Sequence, residues 1–284
     1  MRIFVAGATG AVGRLLVPRL LADGHHVTGT TRSAAGVQAL TAQGATGIQV
    51  DVYDPAALTA AVRQASPDTV IHQLTALGDY NLADNSRIRR EGTRHLVDAA
   101  RSAGVRRVIA QSIAWAYEPG DAPAVEKTSL DLEATGPRGE TVSGVQALET
   151  QVAELPDHVI LRYGLLYGPG TWYRRGDRID ELFRTGGFTA TDAVTSFLHV
   201  TDAARAAVAA LEWPVGVYNI VDDEPAAGRS WAPVFARAVG APAPPRGAGR
   251  APWERGADNT LARNELNWKP EHPSWRTGFG TLAG

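Results

Sequence analysis

The sequence predicts an α/β fold built on a doubly wound parallel sheet, on three observations. Short apolar runs alternate with amphipathic helical stretches through the first half of the chain. A glycine-rich turn, Gly7-Ala8-Thr9-Gly10-Ala11-Val12-Gly13, joins the first apolar run to the first helix. The alternation resumes at Glu140 after a loop rich in Pro, Gly, Asp and Glu. Strand–helix alternation implies parallel strands joined by crossover helices, and 284 residues are enough for one large core with a smaller appendage.

Taken in order, Arg2–Ala6 reads as a buried strand and Ala11–Ala22 as a helix with Val12, Leu15, Leu16 and Leu20 on one stripe. His26–Thr31 (strand), Ala34–Gln43 (helix), Gly47–Asp51 (strand), Pro55–Gln64 (helix) and Thr69–Leu74 (strand) follow. A long helix is expected at Ile88–Ala103 and a strand at Arg107–Gln111, then a loop from Gly120 to Gly139. Helix Glu140–Leu155 and strand Val159–Tyr163 restore the pattern. Past Gly168 it breaks up, with a Thr195–Val200 stretch, a helix at Asp202–Leu211, a strand at Val215–Val221 and a Pro-rich segment around Ala241–Pro252. The expected division is a nucleotide-type domain over 1–168 and a smaller lobe over 169–284, interleaved with the sheet.

Composition narrows the function classes. A net charge of −2 with dispersed Lys and Arg leaves no basic footprint for nucleic acid or anionic membranes. Without cysteine there are no disulfides, thiolate nucleophiles or Cys-ligated metals. No His/Asp/Glu spacing suggests a metal site. No apolar run approaches the ~20 residues needed to span a bilayer, and the start of the chain runs directly into a strand, so a cytoplasmic protein acting on a small molecule is expected.

The glycine turn follows a strand and opens a helix, the context that makes a glycine pattern a dinucleotide site: the backbone turns tightly and approaches a pyrophosphate, which sits on N–H groups at the helix N-terminus. Gly7, Thr9, Gly10, Ala11, Val12 and Gly13 are therefore candidate cofactor residues on a Rossmann-type sheet. The second strand ends Gly29-Thr30-Thr31-Arg32, with no acid to accept the adenosine ribose hydroxyls and an arginine able to pair with a 2′-phosphate. Arg32 thus favours NADP(H) over NAD(H).

With its Gly-x-x-Gly-x-x-Gly spacing the chain resembles the extended and atypical short-chain dehydrogenase/reductase superfamily, the relatives of sugar-nucleotide epimerases and dehydratases. Further residues carry the resemblance: His72-Gln73-Leu74-Thr75-Ala76, Glu91-Gly92-Thr93, Leu161 to Gly170, Phe197 to Asp202, and Glu265 to Pro270. The resemblance implies that Asp51 and Val52 lie beside the adenine, that the backbone of Leu74, Thr75 and Ala76 lines the cofactor, and that Tyr163, Gly164 and Leu165 complete its site. It also implies that the helices Ile88–Ala103 and Glu140–Leu155 could pair in a homodimer.

One part of the superfamily's pattern is missing. Its members use a Tyr-x-x-x-Lys pair on the helix after the loop; the lysine cation lowers the phenol's pKa, and the phenol exchanges the proton as hydride moves. Alignment on Glu149 puts Val142 and Gln146 at the two positions. The absence does not depend on that alignment, because the residues four after Tyr53, Tyr80, Tyr117, Tyr163, Tyr167, Tyr173 and Tyr218 include neither lysine nor arginine. At the end of the fifth strand, where relatives carry Ser or Thr four residues before a tyrosine, this chain has Ile113, with Ser112 one residue off. Ser112 and Tyr117 are the candidate catalytic groups; Glu126-Lys127 reads better as an exposed charge pair, and His72 and His199, inside apolar runs, as core residues.

Substrate contacts are expected from Val142 and Gln146, and from Trp172, Tyr173, Arg174 and Arg178, with Arg175 and Phe188 nearby: aromatic surface for stacking and arginines for a phosphate or carboxylate. The functional expectation is an NADP(H)-dependent reductase or epimerase-like oxidoreductase of a carbonyl, enone or sugar-nucleotide-like substrate, with a divergent proton-transfer site. The alternatives are a redox-neutral isomerase, cyclase or dehydratase that retains its cofactor, and a non-catalytic NADP(H) sensor.

Overall fold

A computed structural model describes residues 1–78 and 81–283; Tyr80, one of the tyrosines surveyed above, lies outside them. The chain runs β1 (Arg2–Ala6), α1 (Gly13–Ala22), β2 (His26–Thr31), α2 (Ala34–Ala42), β3 (Thr46–Gln49), α3 (Pro55–Ala65), β4 (Thr69–His72), α4 (Leu82–Arg87), a π-turn at Ile88–Gly92, α5 (Thr93–Ser102) and β5 (Arg107–Ile113). It continues through α6 (Gly136–Val152), β6 (Asp157–Tyr163), β7 (Leu165–Tyr167), α7 (Arg178–Arg184), β8 (Val194–Thr195), β9 (Phe197–His199) and α8 (Val200–Ala209). The last elements are β10 (Gly216–Ile220), β11 (Ala226–Ala227), α9 (Gly228–Val239), α10 (Thr260–Glu265), α11 (Trp275–Gly278) and a 3-10 turn at Phe279–Ala283.

Seven strands form the main sheet in the order β10-β6-β5-β4-β1-β2-β3. Its β3-β2-β1-β4-β5 portion is parallel throughout, with Val5 opposite Gly29 on one side and Ile71 on the other. The order reverses between β1 and β4, and in such sheets ligands bind beyond the carboxyl ends of the strands at that switch point.

Contacts divide the described chain into two compact units: Met1–Ser112 with Leu132–Leu161 and Ala204–Val217, and Ile113–Asp131 with Arg162–Ala203 and Tyr218–Gly284. In the first, α3, α5 and α6 cover the sheet through Leu58, Val62, Leu96, Val97, Leu148 and Val152, packed against Phe4, Val70, Val108 and Ile160. Helix α1 buries Leu16, Val17 and Leu20. The second is organised around an aromatic core of Tyr167, Tyr173, Phe183, Phe197, Trp231, Phe235, Trp275 and Phe279.

Several expectations need correction. The long helix begins at Leu82 rather than Ile88 and is interrupted by the π-turn. The Gln151 side chain explains how that turn is tolerated: its Nε2 donates to the Arg90 carbonyl. Helix α6 starts four residues early, at Gly136, with Pro137 in its first turn, where a missing N–H costs nothing. Helices α7 and α9 were not foreseen; α9 carries Pro233 internally, which reads as a breaker in sequence.

Candidate functional site

In the first unit, the β1–α1 turn is shaped by contacts that only glycine permits at two of its positions. Gly7 has φ +88°, and a Cβ there would lie 2.5 Å from the Gln73 carbonyl oxygen; a Cβ on Gly13 would lie 2.2 Å from the Gly7 oxygen. Gly10 differs, since a Cβ would meet nothing closer than that oxygen at 3.3 Å. Packing constrains Gly10 less than Gly7 and Gly13, since its one tight contact needs only a few tenths of an ångström of relief, and close approach of a ligand to the backbone is a further reason for glycine there.

The turn is pinned to β2. Gly7 N donates to Thr30 Oγ1, Ala8 N to Thr30 O, and the Thr9 hydroxyl to Thr31 Oγ1. Among the described residues no backbone acceptor takes the N–H groups of Ala11 or Val12 at the start of α1. A glycine that admits approach, followed by unengaged N–H groups at the positive end of a helix, fits a dinucleotide pyrophosphate.

The other expected cofactor residues of this unit surround the same edge. Arg32 follows β2 directly and is exposed. Asp51 Oδ1 accepts from Tyr53 N, and Val52, buried, accepts at its carbonyl from His95 Nδ1. After β4, Leu74 N donates to His72 Nδ1 and Ala76 N to Asn85 Oδ1, so the Leu74–Ala76 backbone is held at two points. That bond fixes the His72 tautomer: Nε2 carries the hydrogen and donates to Thr93 Oγ1 at 2.8 Å. Burial, reinforced by the Arg89 charge, lowers its pKa to about 4, so His72 is a neutral, satisfied core residue.

The α6 face that meets the sheet is largely apolar. Val142 and Val145 are buried, Thr141 donates to the Pro137 carbonyl, and Gln146 is exposed. Glu149 is the polar exception, and it accepts the Ser112 hydroxyl. Ser112 belongs to β5 and is buried.

In the second unit Tyr117 is 1% exposed and donates its hydroxyl to Asn219 Oδ1, with the Arg162 guanidinium 4.8 Å from its ring centroid. Asn219 also binds Ala124 O, Asp258 O and, through its backbone N–H, Glu126 Oε1. Glu126 therefore pairs with backbone rather than with Lys127, and burial raises its pKa. Tyr163 donates to the Ala203 carbonyl. Gly164 sits where a Cβ would be 2.7 Å from Ser196 O, and Leu165 N donates to that oxygen.

The expected substrate residues of this unit divide between the aromatic core and the surface. Tyr173 is a correction: expected as stacking surface, it is part of the aromatic core, 5.4 Å from Phe197 and 5.7 Å from Phe235 between ring centroids. Phe188 stacks on Phe183, and Trp172 packs on the same core while half-buried. Arg174 is paired with Asp177, and Arg178 is exposed at the start of α7.

Two features were missed in sequence. His199 stacks on His272 with centroids 3.8 Å apart, and Asp202, fully buried, holds the His272 segment by accepting from Glu271 N and His272 N. Arg89 is 7% exposed inside the π-turn. A sequence signal for it existed: Arg89, Thr93, Leu96 and Ala100 share the helical spacing of the apolar stripe.

Among the described residues no helix is long and apolar enough to cross a membrane. The sequence model of the NAD dependent epimerase/dehydratase family matches residues 3–221. The chain is 43% identical to a 3-diazoavenalumate denitrifying reductase from a Streptomyces species, over 99% of each chain. It is 34% identical to UDP-glucose 4-epimerase of Mycolicibacterium smegmatis, over 38% of this chain and 37% of that one. Among solved structures, the Bordetella bronchiseptica enzyme WbmG in complex with NAD and UDP superposes with a TM-score of 0.78 at 25% identity, covering 100% of this chain and 93% of that one. The Thermotoga maritima UDP-glucose 4-epimerase shares the fold, with a TM-score of 0.79 at 21% identity, over 100% of this chain and 97% of that one. The chain belongs to the NAD dependent epimerase/dehydratase family and is an oxidoreductase.

Proposed function

We propose that this enzyme is an NADP(H)-dependent reductase that replaces the diazonium group of an organic acid with hydrogen and releases dinitrogen. The full-length relative named for a diazo carboxylate suggests the reaction. The observation that carries it is the buried face of α6, where Val142 and Val145 are apolar and neither can donate a proton.

Charge balance connects the two. A carbonyl that accepts hydride becomes an alkoxide and must then be protonated, which is why a tuned phenol accelerates that chemistry. A diazonium cation that accepts hydride is neutralised: a C–H bond forms, the C–N bond breaks, its electron pair leaves with dinitrogen, and the nicotinamide is oxidised. No net proton is required. Diazonium groups persist in water when conjugated to an arene, so the substrate class is an arenediazonium acid.

Bound NADPH supplies the hydride. The chain's own residues would hold and orient the cofactor: the Gly7–Gly13 turn would take the pyrophosphate, Arg32 the 2′-phosphate and Asp51 and Val52 the adenine side, with the Leu74–Ala76 backbone lining it. Diazonium ions couple to phenols, amines and thiols. The chain has no cysteine and only Lys127 and Lys269 as lysines, and Tyr117, Tyr163 and Tyr167 are buried. A helix face lacking tyrosine and lysine therefore removes two targets as well as an unneeded acid.

The test is to mix the purified enzyme with NADPH and a synthetic arenediazonium carboxylate. One dinitrogen released per NADPH oxidised supports the reading. NADPH oxidation with carbonyl substrates alone would return the protein to carbonyl reduction.

A further inference from the structure

π-Turns inside helices displace side chains from the regular helical face and recur at binding sites. The Ile88–Gly92 π-turn carries Arg89 inward. Its neighbours in sequence are both paired, Arg87 with Glu91 and Arg90 with Glu140. Arg89 makes no hydrogen bond and no ion pair with any described residue.

Its surroundings offer one opposing charge, Glu149, and no bond to it. Burial lowers its pKa to about 10, opposed by the Glu149 charge, so it stays protonated at neutral pH. Glu149 already accepts the Ser112 hydroxyl. His72, the other titratable group that senses Arg89, is neutral and bonded to Thr93. Three residues earlier in the same helical run, Ser86 is buried with a hydroxyl that finds no partner. A buried, unpaired guanidinium is costly, and it persists where a ligand completes it.

We infer that Arg89 is a recognition site for the substrate's carboxylate, at the carboxyl edge of the sheet in the first unit. A guanidinium offers parallel N–H donors that match a carboxylate. The cofactor has no comparable group for it: its pyrophosphate fits the β1–α1 turn, and its nicotinamide end bears no negative charge. On the reading of the enzyme as an arenediazonium acid reductase, the same charge also orients the substrate. Arg89 attracts the carboxylate end and repels the cationic diazonium end, directing the latter away from itself.

The test is a fluorescence titration of the NADP⁺-loaded protein with trans-cinnamate and its neutral isostere trans-cinnamamide. Wild type should prefer the carboxylate by at least about tenfold, the scale of a hydrogen bond to a charged group. In Arg89→Gln the preference should vanish, with cinnamamide and NADP⁺ affinities unchanged and the ligand-free melting temperature equal or higher. In Arg89→Lys, which keeps the charge without the fork, a partial preference should remain. Equal binding of both probes by wild type, or by neither, overturns the inference. So does a preference that survives in Arg89→Gln, a parallel loss of NADP⁺ affinity, or a fall in melting temperature that marks a structural arginine. Failure of wild type to release dinitrogen from any diazonium acid would remove the proposed reaction and leave the cinnamate result standing.

Discussion

The Ser112 hydroxyl donates to Glu149 Oε1 across 2.7 Å, between the last turn of strand β5 and the inner face of α6. Both residues are at least nine-tenths buried, so the bond joins sheet to helix inside the first unit. Ser112→Ala removes a charge-assisted bond and leaves a buried carboxylate short of a donor, at a cost of about 1–3 kcal/mol. The expected outcome in urea melts is a loss of that size, with turnover changed less than threefold. A collapse of turnover at intact stability would instead make Ser112 a substrate contact.

The glycine turn separates packing from ligand approach. Gly13→Ala would place a Cβ 2.2 Å from the Gly7 oxygen and should destabilise the fold by several kcal/mol, on the order of an overpacked core. Gly10→Ala meets its nearest atom only at 3.3 Å. It should be destabilised far less than Gly13→Ala yet bind NADPH at least about tenfold more weakly, because the added methyl occupies space that the pyrophosphate needs. Calorimetry paired with NADPH titration reads both.

The proposed preference for NADP(H) rests on Arg32. Arg32→Ala should weaken NADPH binding by roughly ten- to a hundredfold, the range for a lost charge-assisted contact, and leave NADH affinity within twofold. Equal affinities for the two cofactors before mutation would refute the assignment.

Three buried groups set opposite limbs of the pH–stability curve. His72 and His199 are lowered to about 4, each chiefly by burial. Their neutral forms are favoured in the fold, so they contribute stability above the unfolded value of about 6.5 that is lost as pH falls through 4. Asp222 is raised to about 8, again chiefly by burial. Its contribution is fully present below the unfolded value of about 3.9 and is lost as pH rises through 8. Stability should therefore peak near about pH 6.5. Asp222→Asn should remove the alkaline limb. It should also lower stability overall, because Asp222 accepts from Trp275 N and Glu224 N on separate oxygens and an amide offers only one. An unchanged alkaline limb in the variant would assign that limb to other groups.

The sheet was legible because its strands are short, apolar and separated by helices with clear stripes; Phe4, Val70 and Val108 form the core that their spacing implies. The glycine turn was legible because Gly7 and Gly13 are demanded by backbone contacts that sequence spacing reflects. The second unit was not. Helix α7 lies within Gly- and Arg-rich sequence, α9 contains Pro233, and Tyr173 shows the same residue type that would stack on a substrate turned into a core. Arg89 was overlooked for a different reason: it shares the apolar stripe of its helix, but an arginine in a helix reads as solvated, and the π-turn around it has no sequence signature of its own.

The central claim is that this enzyme delivers hydride to a substrate that needs no proton from the protein. The direct measurement is the isotopic composition of the product made from an arenediazonium acid with C4-deuterated NADPH in ordinary water, and with unlabelled NADPH in deuterated water. The account predicts deuterium at the former C–N carbon in the first experiment and none in the second. Deuterium acquired from solvent, with none from the cofactor, would contradict it and require a proton donor that the α6 face does not contain.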